Sequence, residues 1–226
     1  CKSLQHIPVI IQTDNYNSQC FSDALANGAY YFLEQLGDEN ILRAVLNSAV
    51  EHKTRFLKAL QKQVEILPDC APAPYLHEAR FYIKTLDDII RILNLLCSVF
   101  PDPERVSIGI HELLTNAIEH GNLGITYDEK SKLLLDNTWK EEIDRRLALK
   151  DNAGKHVEIT IYRSVEKIEM IIEDQGLGFN NEKYMDIDPL RIFDSHGRGI
   201  AMANKMAFDK LEYVGRGNKV ICTVYL

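Results

Sequence analysis

Residues 110–121 read IHELLTNAIEHG, and Glu112, Asn116 and His120 recur there at steps of four. On an α-helix with 3.6 residues per turn, that spacing stacks three polar side chains along one slowly drifting face. Ile110, Leu113, Leu114, Ala117 and Ile118 make the remaining faces apolar. The pattern predicts a helix over ERVSIGIHELLTNAIEHG (104–121) that ends at Gly121. A carboxylate one turn from a carboxamide suits magnesium–phosphate chemistry. The amide oxygen ligates a hard cation, while the carboxylate orients or deprotonates a nucleophile. The solvated stripe of a surface helix would carry the same residues, so this segment alone leaves both readings open.

Two glycine-bearing segments follow. EDQGLGFN (173–180) comes directly after a strand-like run, which puts Asp174 at the strand's end. Gly176 and Gly178 would let backbone approach a ligand closely. An aspartate held there accepts a hydrogen bond from an exocyclic amine such as adenine's. An ordinary glycine-rich turn with an Asx hydrogen bond is the competing reading. In DSHGRGIAMANKM (194–206), Gly197 and Gly199 precede a helix whose free N–H groups and positive dipole end favour phosphate. Arg198 would face phosphate or solvent, and His196 would help hold the loop. Neither a Walker loop nor a dinucleotide fingerprint is present.

Around these segments the periodicity predicts an α+β layer. HEARFYIKT (77–85) alternates as a half-buried strand, and LDDIIRILNLLCSVF (86–100) reads as a helix. HVEITIYR and KIEMIIED form two alternating strands joined near Ser164–Glu166. A helix over 200–208 and the strands DKLEYV and KVICTVYL close the layer. The charged, Leu-bearing stretch 126–155 reads as a helical excursion from the core, with Trp139 as its anchor.

Upstream, IPVIIQT (7–13) and YYFLE (30–34) read as buried parallel strands, with Gly28 ending a helix between them. ENILRAVLNSAVEH follows as an amphipathic helix, and its apolar stripe continues as a connector to about Leu67. The three prolines of PDCAPAP (68–74) then break the helix and mark a boundary. The expected domains are 1–52, a connector and linker over 53–74, and 75–226.

Composition sets the remaining bounds. Charged residues make up 26% and hydrophobic residues 46% of 226, which is ordinary globular usage. With 26 basic against 33 acidic residues, the net charge of -7 argues against nonspecific nucleic-acid binding. The five cysteines are scattered without a CxxC or Cys/His cluster, so metal and disulfide readings are weak. No run has the apolar length of a membrane helix, so a cytoplasmic protein is expected.

In chain order, ELLTNAIEHG, EDQGLGF and HGRGIAMANKM resemble the nucleotide-binding domain of gyrase-type, mismatch-repair, chaperone-type and sensor histidine kinase ATPases. Within that superfamily they look most like the anti-sigma-factor serine kinase branch. The resemblance covers about residues 75–226 and implies a two-layer α/β sandwich that binds ATP and Mg²⁺. It implies Glu112 as catalytic base, Asn116 as magnesium ligand and Asp174 as adenine reader. It also gives Gly176 and Gly178 the base pocket, and makes Gly197, Arg198 and Gly199 a short lid over the phosphates. His120 and His196 join the cofactor-binding set. Ser195 stands where some kinases of this branch carry an arginine.

The first fifty residues resemble the second half of a response-regulator receiver domain, whose first half would precede residue 1. Thr13 matches the switch hydroxyl and Phe32 the switch aromatic, whereas Gln35 and Leu36 replace a lysine and a proline.

The resemblance implies an ATP-dependent serine/threonine kinase acting on an anti-anti-sigma-type or sigma-factor-type protein, as output of a response regulator. An ATP-controlled binding module with little phosphotransfer is the alternative, which the Ser195 departure keeps open. A histidine kinase using His52 is a third reading, since that residue lies in the connector helix. A homodimer through the connector or the receiver-like fragment is also expected, without nucleic acid or membrane.

Overall fold

The structure is a computed structural model that describes residues 9–13, 29–34, 76–180 and 199–226, and the helical positions 42, 43, 46 and 50. The chain divides into two compact units, one of Cys1–Leu67 with Ile187–Ser195 and one of Pro68–Asp186 with His196–Leu226.

In the first unit, β1 (Val9–Thr13) pairs in parallel with β2 (Ala29–Glu34). Ile11 stands opposite Phe32 and Thr13 opposite Glu34, with one irregularity between Val9 and Ile10. Both strands fall where β-branched and aromatic runs predict them. Leu42, Arg43, Leu46 and Val50 are helical, as expected for 39–52. The helix before Gly28, Gln35, Leu36, His52 and the connector with its proline-rich end lie outside the described residues.

The second unit is α+β. Its antiparallel sheet runs in the order β3 (Glu78–Ile83), β4 (Val157–Arg163), β5 (Lys167–Glu173), β7 (Lys219–Tyr225), β6 (Lys210–Val214). Alternation decides the faces. Val157, Ile159, Ile161, Ile168, Met170, Ile172, Val220, Cys222 and Val224 all point into the core, whereas Glu158, Tyr162, Glu169 and Glu173 lie on the other face. The β4–β5 turn falls at Ser164–Glu166 as expected. There Ser164 Oγ accepts from the N–H groups of Glu166 and Lys167.

Helices α1 (Leu86–Cys97) and α2 (Pro103–Asn116) share that core through Ile89, Leu93, Leu96, Val106, Ile110, Leu113 and Leu114. Thr85 and Asp88 form a reciprocal capping box on α1, and Asp102 caps α2 just before Pro103. Cys97 and Cys222 are free and buried, and burial pushes the Cys97 thiol up to about 12.

Two departures from sequence expectation, and one expected element in finer detail, bear on the site. The helix does not stay α-helical to Gly121. It widens after Asn116 into a π turn, Ala117–Asn122, closed by the Leu123 N–H donating to the Ile118 carbonyl at 2.9 Å. The helix expected at 200–208 likewise begins as α6 (Gly199–Met202) and continues as a π turn, Ala203–Ala207. This second turn packs on α2 at Gly109, where an added Cβ would run into Ala207 and the Phe208 ring. The excursion, finally, is three short helices: α3 (Tyr127–Leu135), α4 (Trp139–Leu147) and α5 (Lys150–Ala153).

Arg146 fastens this excursion to the chain just after the first π turn. It donates to Glu142 and Glu129 and to the carbonyls of Leu123 and Gly124, at 2.7 to 3.0 Å. Ile143 is fully buried, and Trp139 packs against the core as its anchoring role predicts. Among the described residues, no helix is long and apolar enough to cross a membrane.

Candidate functional site

Glu112 and Asn116 sit on the last turns of α2, both half-buried, and His120 follows in the π turn. A four-residue step overshoots a full turn of α-helix and falls short of a turn closed by i→i+5 bonds. The drift of the polar face therefore reverses after Asn116. Glu112 remains close enough to His120 to favour its protonated form.

His120 is nevertheless held below its ordinary pKa. Burial is the largest cause and the nearby Lys130 charge the next. Its Nδ1 lies 2.5 Å from the Ile125 carbonyl. A carbonyl only accepts, so Nδ1 carries the proton and the neutral ring presents Nε2 as an acceptor. Behind it, fully buried Glu119 pairs with Lys130 of α3, Nζ to Oε2 at 2.6 Å. The excursion thus contributes a half-buried cation to the end of the asparagine helix.

Asp174 follows the last residue of β5, where the sequence puts it. Its Oδ1 accepts the Gly176 N–H at 2.8 Å, which is an Asx-type bond that closes the loop. Burial pushes its carboxyl up to about 6. The Gly176 N–H, Arg216 and Lys155 oppose that shift, while Glu173 adds to it. This acid is half-ionised near pH 6, far above an ordinary aspartate.

The helix end and this loop meet directly. An added Cβ on Gly121 would overlap the Asp174 carboxylate, and one on Gly176 would strike the Gly121 carbonyl. Gly176 therefore lets one backbone segment approach another. Gly178 has φ +80° and lies against the Arg216 carbonyl, so it too serves protein packing. Asn218 brackets Asp174 from the β6–β7 turn. Its carbonyl accepts the Asp174 N–H at 2.9 Å, and its Nδ2 donates to the Asp174 carbonyl at 2.8 Å.

Buried Asn122, the last residue of the π turn, accepts the Gln175 N–H on Oδ1 at 2.8 Å. Its carbonyl accepts from Lys155 Nζ at 2.8 Å. Sequence reading gave no role to Asn122 or to the Asn218 side chain, and it took Gly121 as a helix end within ELLTNAIEHG. An HGN tripeptide after a polar stripe looks like an ordinary helix stop, and GRGN looks like a turn.

Gly199 opens α6, which packs beside α2. His196, Gly197 and Arg198 lie outside the described residues, as does Ser195. An open groove of about 570 Å³ is lined by Tyr82, Lys84, Asp88, His156 and Glu158, none of which the sequence singled out. It borders the Asp174 loop through the His156 N–H, which donates to Gln175 Oε1 at 2.8 Å.

Among the described residues, no group of three or more His, Cys, Asp and Glu side chains is placed to hold a metal. A magnesium ion shared between one amide oxygen and phosphates needs no such cage, because this ion keeps waters and takes few protein ligands. The half-buried Asn116 amide fits that role. Neither the protein-family models nor the curated proteins contain a match to this chain.

Proposed function

We propose that the second unit is an ATP-binding signalling domain of the histidine-kinase-type ATPase superfamily, built as its two-layer sandwich and closest to the anti-sigma serine kinases. The observation that carries this reading is the contact of Gly121 with Asp174. It joins the end of the acid–amide helix to the strand-end aspartate, the two parts that a purine triphosphate must span.

Asp174 Oδ2 is the oxygen left for an exocyclic amine, since Oδ1 holds the Gly176 N–H. Asn116 would hold Mg²⁺, which neutralises phosphate charge when bound. Glu112 accepts the proton of an incoming serine or threonine hydroxyl. Neutral His120 offers an acceptor beside it without adding a second acid. Gly199 and the segment before it supply backbone N–H groups to the phosphates. The partner is an anti-anti-sigma-type or sigma-factor-type protein, and the first unit is the receiver-like input.

The test is calorimetric titration with magnesium ATP, followed by phosphate transfer to such a partner. Binding lost in Asp174→Ala and transfer lost in Glu112→Ala are the expected results. If wild type binds no ATP, the reading fails. ATP binding with partner capture but no transfer favours the nucleotide-controlled binding module, which Ser195 supports.

A further inference from the structure

We infer that Asn122 sets which purine the site accepts, by holding the Asp174 loop to the helix that carries Glu112 and Asn116. This rests on the ATP reading of the same site.

With Oδ1 of Asp174 occupied by the Gly176 N–H, base reading falls to Oδ2. A single acceptor discriminates by direction. A hydrogen bond wants an angle above about 150° and weakens steeply below about 120°. A purine with an amine facing Oδ2 satisfies it, whereas one with a carbonyl there sets acceptor against acceptor. Selectivity therefore depends on where the loop holds Oδ2.

The loop is held from two sides. Asn218 grips both backbone groups of Asp174 from the β6–β7 turn, on the sheet. Asn122 grips the next N–H, that of Gln175, from the π turn that continues α2. Beside the packing contact of Gly121, the second grip is the hydrogen bond that ties the base reader's loop to the element that carries the proposed magnesium ligand. Lys155 braces it by donating to the Asn122 carbonyl. Asn122 is 3% exposed, so water does not readily replace its oxygen when it is removed. It is a positioning residue, acting through Asp174.

The experiment compares the affinities of magnesium ATP and magnesium ITP, in which a carbonyl replaces the adenine amine. Wild type, Asn122→Ala and Asn122→Ser are titrated, and amide exchange at Gln175 and Ile172 is followed in each. The ATP-over-ITP ratio should fall about tenfold in Asn122→Ala, the size of one net hydrogen bond, through loss of ATP affinity alone. Asn122→Ser keeps an acceptor on a shorter arm and should fall between. Gln175 exchange should quicken while Ile172, in β5, stays protected.

Equal weakening of both nucleotides, or an unchanged ratio with a faster Gln175 amide, overturns the inference. Should the alanine variant not fold, the serine variant decides by the same ratio. Wild type that binds no ATP strikes the proposed function itself. Wild type that prefers ATP, with a variant that keeps the preference, strikes only the role of Asn122.

Discussion

Gly121 and Asp174 are in contact, the backbone of one lying where any larger residue would meet the carboxylate of the other. Gly121→Ala should therefore be damaging although it is the smallest change available. The added methyl has to displace a carboxylate that is also bonded to Gly176. A destabilisation of about 1–3 kcal/mol is expected from overpacking. ATP affinity should fall with it, read by thermal unfolding and titration. Gly154→Ala is the control: its Cβ would meet no atom within 4 Å, and both quantities should stay unchanged.

The Asp174 carboxyl, pushed up to about 6, makes two pH dependences of opposite sign. In the folded chain this acid takes its proton at higher pH than in the unfolded chain. Its contribution to stability is therefore full below about pH 4 and is lost as pH rises through about 6. Nucleotide binding needs the ionised form, so affinity for ATP should decline as pH falls below about 6. Asp174→Asn should flatten both profiles, as followed by urea unfolding and by titration from pH 5 to 8. An Asp174→Asn variant with the wild-type pH profile would reject this assignment.

Half-buried Lys130 pairs with fully buried Glu119, and removing the lysine leaves the Glu119 charge without solvent or that counterion. Lys130→Met should cost about 3–5 kcal/mol by urea unfolding. Adding Glu119→Gln should restore most of that loss, because the unpaired charge is gone. Equal stability of single and double variants would mean that the pair is immaterial.

Arg146 reaches two carboxylates and two carbonyls at once, a task for a planar fork with five donors. Arg146→Lys keeps the charge and should still lose about 1–3 kcal/mol, with faster amide exchange in α3 and α4. The exposed Lys140–Asp144 pair has the same i,i+4 form without that network. Lys140→Ala should change stability by less than about 0.5 kcal/mol.

Much of the α+β layer was legible along the chain. β4, β5 and β7 announce themselves by apolar residues at every second position, because those side chains must enter the core. The helices before the site show their apolar spacing and carry their start signals in Thr85, Asp102 and Pro103. Asp174 could be put at a strand end for the same reason, since the alternating run ends at Glu173. Glu112, Asn116 and His120 could be grouped because a helix is periodic. All of these features are local, set by which side chains a repeating backbone sends to one side.

What the local pattern could not carry is the meeting of segments distant in the chain. The π turn after Asn116 has no spacing of its own in IHELLTNAIEHG, and packing of its end on the 174–176 loop accompanies the wider turn. Gly121 read as a helix end and Gly176 as room for a ligand, yet Gly121 is required by the Asp174 carboxylate and Gly176 by the Gly121 carbonyl. Asn122 and Asn218 looked like punctuation until the fold brought them to either side of Asp174. The chain alone determined the periodic elements and the residue types available for chemistry. The tertiary structure decided which polar groups face one another, because burial and hydrogen-bond partners exist only once separate elements have packed.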